Sequence, residues 1–205
     1  MTNLKRIIYE VQFKRIMEKK GYQYFSDAPY DVNFIGIRSR DETPDVFNDL
    51  LVLEYRDYVG ELQTKTFTAT TDPGLYYLLN PINLKGTAIL KPGQYRGVFK
   101  IGEHRGLPAL VQNKEITVIR DFNRDSRLDF DQRTEETGWF GIHVHRAWEK
   151  GSVKVGKWSA GCQVIADPVE FEIFLRIMEE ARVIHGNAFT YTLLEEKDLG
   201  LRGSG

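Results

Sequence analysis

The sequence predicts an α+β fold that is mainly β, a sandwich or barrel of strands with one long helix near the C-terminus and another helix at the N-terminus. Three observations support this prediction. Short runs rich in β-branched and aromatic residues recur about every ten residues between Tyr30 and Arg120. Turn residues such as Asp72-Pro73-Gly74 and Lys91-Pro92-Gly93 separate these runs. Helical periodicity is clear only in the first twenty residues and after Asp167.

The predicted strands share this composition, and we place seven of them. They are Val32–Arg38, Leu50–Arg56, Leu62–Ala69, Gly86–Leu90, Tyr95–Ile101, Glu115–Arg120 and a last strand Ala188–Leu194.

Two helices are predicted from periodicity and end signals. The first covers Asn3–Lys20, with apolar residues at three- and four-residue spacings and Gly21 placed to end it. The second begins after Asp167, a typical N-cap residue followed by proline, and Glu170 completes a capping-box pattern. Gly186 is placed to end this helix.

The chain of 205 residues is long enough for one sizeable domain. We predict an N-terminal helical appendage at 1–29, a single domain at 30–198 and a flexible tail at 199–205. No internal repeat or low-complexity tract interrupts it.

Charge and hydropathy exclude several classes of function. Lys and Arg number 28 against 29 Asp and Glu, so the net charge of −1 argues against nucleic acid as the main partner. No apolar run approaches the roughly 20 residues of a membrane span. The N-terminus lacks the pattern of a secretory signal, which predicts synthesis in the cytoplasm. The sequence leaves the oligomeric state open.

The segment between Trp139 and Ile165 contains the residues best suited to catalysis. Its single cysteine, Cys162, follows a Ser-Ala-Gly turn, and His143 and His145 lie two apart in a predicted strand, on the same face. A thiol needs a neighbouring imidazole to become a thiolate, and backbone N–H groups to hold the oxyanion formed when it attacks a carbonyl. On these residues alone, a buried structural cysteine beside a hydrogen-bonded histidine remains the alternative.

The string Gly-Ile-His-Val-His-Arg-Ala followed by Ser159-Ala160-Gly161-Cys162 resembles the L,D-transpeptidase (YkuD-type) catalytic-domain family. The motif of that family is a histidine, an interval of some fifteen residues, and Ser/Thr-His-Gly-Cys. The resemblance implies an L,D-transpeptidase-like β fold with the long helix after the cysteine strand. It implies peptidoglycan stem peptides as substrate, with no cofactor required for catalysis.

The resemblance also assigns roles to single residues. Cys162 is the nucleophile, and backbone N–H groups near Gly161 and Cys162 are the oxyanion donors. The other residues placed around oxyanion and substrate are Ser159, Ala160, Arg146 and Trp158.

Two histidines compete for the role of base. Fifteen residues separate His143 from Ser159, which fits the family interval, whereas His145 leaves thirteen. Local context favours His145, because Arg146-Ala147-Trp148 resembles the residues directly after the family base. We take His145 as the base and His143 as the second candidate, in the same pocket.

The sequence departs from the family motif at two positions. Ala160 replaces the second histidine, and Gln163 stands near where arginine or asparagine is common. We therefore expect substrate contacts that differ from those of the family, with hydrolysis as reasonable as L,D-transpeptidation. The alternative is a catalytically retired virion or wall-binding module. Without a leader, an active enzyme is expected to reach the wall by phage release, on a virion or by injection.

A second constellation precedes the histidines. Oxygen-bearing residues alternate through Asp121, Asn123 and Asp125, as in calcium loops of the EF-hand kind. Arg127 would add its carbonyl, and Asp129 or Asp131 further oxygens. The neighbouring arginines offer the alternative of a salt-bridged surface turn. The sequence leaves both alternatives open, and a Ca²⁺ ion bound here is expected to be structural, with no part in catalysis.

Weaker candidates surround the motif. His104-Arg105 lies in a glycine-bounded turn that fits a surface loop better than the cleft. Trp139 and Trp148 flank the motif, either as core residues or as a platform for substrate.

Overall fold

A computed structural model describes residues 3–147 and 152–200; Trp148 and most of the predicted tail lie outside these ranges. Eight strands close into a barrel: β1 Asn33–Arg38, β2 Asp49–Arg56, β3 Leu62–Thr70, β5 Gly93–His104, β6 Leu107–Gln112, β9 Val144–Arg146, β10 Gln163–Ile165 and β11 Phe189–Glu195. Their order around the barrel is β1-β11-β5-β6-β9-β10-β3-β2. A separate three-stranded sheet contains β4 Thr87–Leu90, β7 Ile116–Asp121 and β8 Glu135–Gly138. The prediction of a mainly β fold with a few helices is confirmed.

The seven predicted strands are all present, with ends shifted by a few residues. Strand β6 is absent from the prediction because Gly106-Leu107-Pro108 resembles a turn. The actual turn is formed by Arg105 and Gly106, which both have positive φ, and Pro108 lies within the strand opposite Glu103. Strand β8, with charged and polar residues on an exposed sheet, carries no apolar alternation to mark it.

The long C-terminal helix, α4 (Pro168–His185), closes the main core. Asp167 caps it by accepting a hydrogen bond from the Val169 N–H, and Gly186 ends it at φ 88°, as predicted. The capping box is wrong, because the Glu170 carboxylate accepts instead from Lys5 and from the Thr68 N–H. The buried face of α4 packs in the same apolar cluster as the inward-facing residues of the barrel.

The N-terminal segment does not form the single helix predicted. Helix α1 (Asn3–Ile7) continues into a 3₁₀ turn over Ile8–Glu10, and α2 (Phe13–Lys20) starts anew after the extended residue Val11. Gly21 ends α2 in the left-handed conformation, at φ 70°. The apolar residues of this segment form a second cluster against the outer face of β1 and β2: Leu4, Ile8, Phe13 and Met17 pack on Ile35, Ile37, Leu50 and Val52.

The remaining elements are short. Helix α3 covers Leu75–Leu79, and 3₁₀ helices cover Gln132–Thr134 and Glu196–Leu199. Leu199, the first residue of the predicted tail, is buried against the N-terminal cluster. Within the described ranges, no helix has the length and apolar character needed to cross a bilayer.

Candidate active site

A cavity of about 610 Å³ lies between the barrel and the three-stranded sheet. The three-stranded sheet contributes Ala88 of β4 and Arg120 of β7 to the cavity wall, and the barrel contributes His145 of β9. Cys162 lines the same cavity. The main pair of predicted catalytic side chains therefore shares one concave site.

The pairing of β9 and β10 places the cysteine beside the histidines. The two strands run parallel with Gln163 opposite Val144, and the Gln163 N–H donates to the His143 carbonyl at 2.9 Å. Cys162 thus lies just before β10, next to the residue just before β9. The His143 N–H donates to the Cys162 Sγ at 3.4 Å, and the thiol lies 3.7 Å from the Gly141 carbonyl oxygen.

The half-buried thiol of Cys162 is protonated at neutral pH. Burial raises the pKa of Cys162 to about 11, and the His143 N–H and the Arg105 charge only partly oppose this rise. Burial also lowers the pKa of His145 to about 4. The resting pair is therefore a neutral thiol and a neutral imidazole.

Hydrogen bonds distinguish the two histidines. The His145 Nδ1 lies 2.9 Å from the Arg146 carbonyl oxygen, which only accepts, so Nδ1 carries the proton and Nε2 is free to accept one. The His143 Nδ1 accepts from the Gln112 N–H at 3.1 Å, so its proton is on Nε2. His143 is also absent from the cavity wall. In its neutral form, only His145 offers a basic Nε2.

The turn before the cysteine is stabilised by hydrogen bonds among its own residues. Ser159 is fully buried, and its hydroxyl accepts from the Gly161 N–H at 3.1 Å and donates to the Cys162 carbonyl at 2.8 Å. Gly161 has φ 124°, and a Cβ there would overlap the Ala88 carbonyl oxygen. Ser159 and Gly161 thus shape the turn rather than line the cavity. Of the backbone donors near the thiol, the Cys162 N–H has no acceptor among the described groups.

Gln163 supports this turn from the barrel interior. Its side-chain amide donates to the Gly161 carbonyl at 3.3 Å and the Thr71 carbonyl at 3.4 Å, and its Oε1 accepts from the Tyr191 hydroxyl at 2.8 Å. Gly36 makes room for that hydroxyl, because a Cβ there would overlap it. The sequence marked Gln163 only as a departure from a motif and gave no sign of its partners.

His104 belongs to the site, against the expectation of a surface turn. Its ring stacks on His145 at a centroid distance of 5.3 Å and tilts on His143 at 4.8 Å. Burial, and the nearby Arg105 charge, lower the pKa of His104. Both His104 and Arg105 line the cavity. The β5–β6 hairpin is brought there by the antiparallel pairing of β6 with β9, which sets His104 against His145, a contact over some forty residues that no local pattern shows.

The remaining predicted site residues lie on the cavity wall. Ala160, Arg146 and Trp158 all line it, and so does Trp139, whose side chain is mostly exposed. These aromatic and cationic groups provide a wide, open surface near the thiol.

The predicted calcium residues begin with the last residue of β7, Asp121, and continue in the loop that follows it; none of them is among the residues that line the cavity. Asp131 accepts from Arg133 at 2.7 Å, whereas the Asn123 amide donates to Asp125 and Asp129. In the part of the chain that the structure describes, no three His, Cys, Asp or Glu side chains converge as a metal-holding group.

No protein-family model, curated protein or solved structure matches this chain.

Proposed function

We propose that this protein is a cysteine-dependent, L,D-transpeptidase-like enzyme that attacks a carbonyl of peptidoglycan stem peptides and forms a thioester on Cys162. One observation carries the proposal: the Cys162 thiol shares a cavity with His145, whose Nδ1–H is held by a backbone carbonyl so that Nε2 is free to accept a proton. The resemblance of the sequence to the L,D-transpeptidase family supplies the substrate class.

In the first step the Cys162 Sγ bonds to the donor carbonyl carbon as its proton passes to the His145 Nε2. The raised pKa of the thiol and the lowered pKa of the imidazole favour proton transfer concerted with attack over a preformed ion pair. The carbonyl π electrons move to oxygen, and the Cys162 N–H is the backbone donor available to that oxyanion.

In the second step the tetrahedral intermediate collapses. The C–N bond breaks, the imidazolium of His145 returns its proton to the departing amine, and the thioester remains on Cys162. An acceptor amine then forms a new amide in L,D-transpeptidation, or water forms a carboxylate in hydrolysis. His145 accepts the proton of that nucleophile and returns it to the sulfur.

The alternative is a retired virion or wall-binding module with the same fold. The raised thiol pKa and the engaged Gly161 N–H favour this alternative, since both reduce catalytic readiness. Wall binding without turnover would then be the activity of the exposed aromatic surface around Trp139.

The test is incubation of the wild type and the Cys162→Ala variant with peptidoglycan and isolated muropeptides, read by mass spectrometry. We expect a change only with the wild type: the mass of one water gained on hydrolysis, or an amine joined and a leaving amine released on exchange. Equal binding of both proteins to peptidoglycan with unchanged muropeptides would establish the binding module instead.

A further inference from the structure

The side-chain oxygens of the loop after β7 accept hydrogen bonds from backbone N–H groups of the same loop. Asp121 ends the strand, the Asn123 Oδ1 accepts from the Asp125 N–H at 3.1 Å, and the Asp125 Oδ1 accepts from the Arg127 N–H at 2.7 Å. Leu128 anchors the loop in a small apolar cluster with Leu78 and Ile89. The loop is thus folded back on itself.

A buried carboxylate in this loop lacks a partner. Asp121 is fully buried; its Oδ2 accepts from the Asp129 N–H at 3.1 Å, but no described group donates to Oδ1. A buried charged oxygen without a donor is strongly unfavourable. The hydrogen bond from the Asp129 N–H holds this carboxylate beside the acidic residues of the loop, where a cation would be favourable.

The neighbouring arginines do not neutralise these groups. Arg133 pairs with Asp131 and Arg120 pairs with Glu136. Among the described residues, no ion pair involves Asp121, Asp125 or Asp129. The salt-bridged turn that the sequence offered as an alternative thus accounts for Asp131 alone.

The Asn123 amide occupies the centre of the loop. Its Nδ2 donates to Asp125 at 3.1 Å and also to Asp129, so the amide separates the carboxylates. Rotation of this amide, at the cost of its bond from the Asp125 N–H, would turn the amide oxygen towards the centre of the loop. While the amide lies between them, the acidic side chains are held apart. They would converge when a cation takes the place of the amide.

We propose that this loop binds one Ca²⁺ ion through the carboxylates of Asp121, Asp125 and Asp129, the Asn123 amide oxygen and the Arg127 carbonyl. All of these ligands are oxygens, with no His or Cys among them, a set that suits Ca²⁺ better than Zn²⁺. Mg²⁺ demands a more regular octahedron and keeps its water. Asp131 is not a ligand, because Arg133 holds it.

The proposal is independent of the thiol chemistry. The ion would fix the chain between β7 and β8, which leads on to Trp139 and Phe140 of the cavity wall. Its role would be structural.

The test titrates CaCl₂ into the chelator-treated full chain by calorimetry and measures melting in CaCl₂, MgCl₂ or EDTA. We expect a 1:1 heat and a melting temperature about 5–10 °C higher at calcium concentrations about a hundredfold above the dissociation constant. Asp125→Asn and Asp129→Asn should weaken binding at least tenfold. Both side chains are at least partly exposed, so the variants should fold, which circular dichroism checks.

Asp131→Asn is the matched control, with the same change of charge in the same segment, and should bind Ca²⁺ like the wild type. No heat and no melting shift at millimolar Ca²⁺ would overturn the proposal. An undiminished shift in both ligand variants, or an equal shift with Mg²⁺, would overturn it as well.

Discussion

The turn Ser159–Gln163 and the loop Asp121–Asp131 are both irregular segments next to a strand. They differ in how far the hydrogen-bonding groups of each segment are satisfied by the protein itself. In the turn, the Ser159 hydroxyl and the Gln163 amide satisfy the backbone from inside the protein. In the loop, the Asp121 Oδ1 is buried without a donor, and the other carboxylates meet one amide.

The difference separates two ways of holding a loop. The turn is preorganised by the fold, so its conformation should not depend on any ligand, and the thiol is presented in a fixed position. The loop contains carboxylates whose negative charge is not neutralised by the described residues, and a bound cation would neutralise it. Substitutions in the turn should therefore change catalysis and stability without calcium, whereas those in the loop should change only the response to calcium.

The largest effect is expected at the base. His145→Gln should lower turnover of muropeptides by about 10²–10⁴-fold, since it removes the free Nε2 that accepts the thiol proton. His143→Gln should cost less than about tenfold, because the Nε2 of neutral His143 carries a proton and its backbone N–H still reaches the sulfur. Steady-state kinetics on one muropeptide measures both. Equal losses would contradict the assignment of the base.

A further effect concerns the thiol itself. With its pKa raised to about 11, Cys162 should react with iodoacetamide at pH 7.5 roughly a hundredfold more slowly than an unperturbed cysteine. The rate should still rise at pH 10, because the thiolate fraction grows as the pH approaches the pKa. The control is the same chain in denaturant, where the ordinary thiol pKa returns. A fast rate with a plateau near neutral pH would indicate a thiolate–imidazolium pair instead.

The fold was more predictable than the site. Continuous branched and apolar residues predict strands such as Leu50–Arg56, and Asp167, Pro168 and Gly186 mark both ends of α4. The break between α1 and α2 could not be seen, because apolar residues continue through it while packing on β1 and β2 fixes the chain.

The site was only partly predictable for the same reason. The motif resemblance singled out Cys162 and two candidate histidines, but the approach of His104 to His145 depends on the pairing of β6 with β9. The choice between the histidines depends on the Arg146 carbonyl and the Gln112 N–H, which are tertiary contacts. Spacing alone favoured His143, and hydrogen bonding favours His145.

A smaller effect tests the preorganised turn through its glycine. Gly161→Ala should destabilise the protein by about 4 kcal/mol, since φ is 124° and the new methyl would overlap the Ala88 carbonyl. Gly60→Ala is the control: φ is 85° and no atom lies within 4 Å, so about 1–2 kcal/mol is expected. Denaturant unfolding in EDTA measures both. Equal losses would show that the turn has room to relax.

The smallest effect is expected at the hydrogen bond between Tyr191 and Gln163, which supports the turn. Tyr191→Phe removes the donor to the Gln163 Oε1 and leaves that buried acceptor unpaired, at a cost of about 1–2 kcal/mol. Tyr95→Phe is the matched control, because the Tyr95 hydroxyl, on the cross-strand partner of Tyr191, donates to the Lys91 carbonyl at 2.7 Å and has no hydrogen bond to Gln163 among the described residues. Both variants should lose stability. Only Tyr191→Phe should also lower kcat, because a loosened Gln163 no longer holds the Gly161 carbonyl and the thiol loses its fixed position. An unchanged kcat in Tyr191→Phe would mean that Ser159 alone suffices to hold the turn.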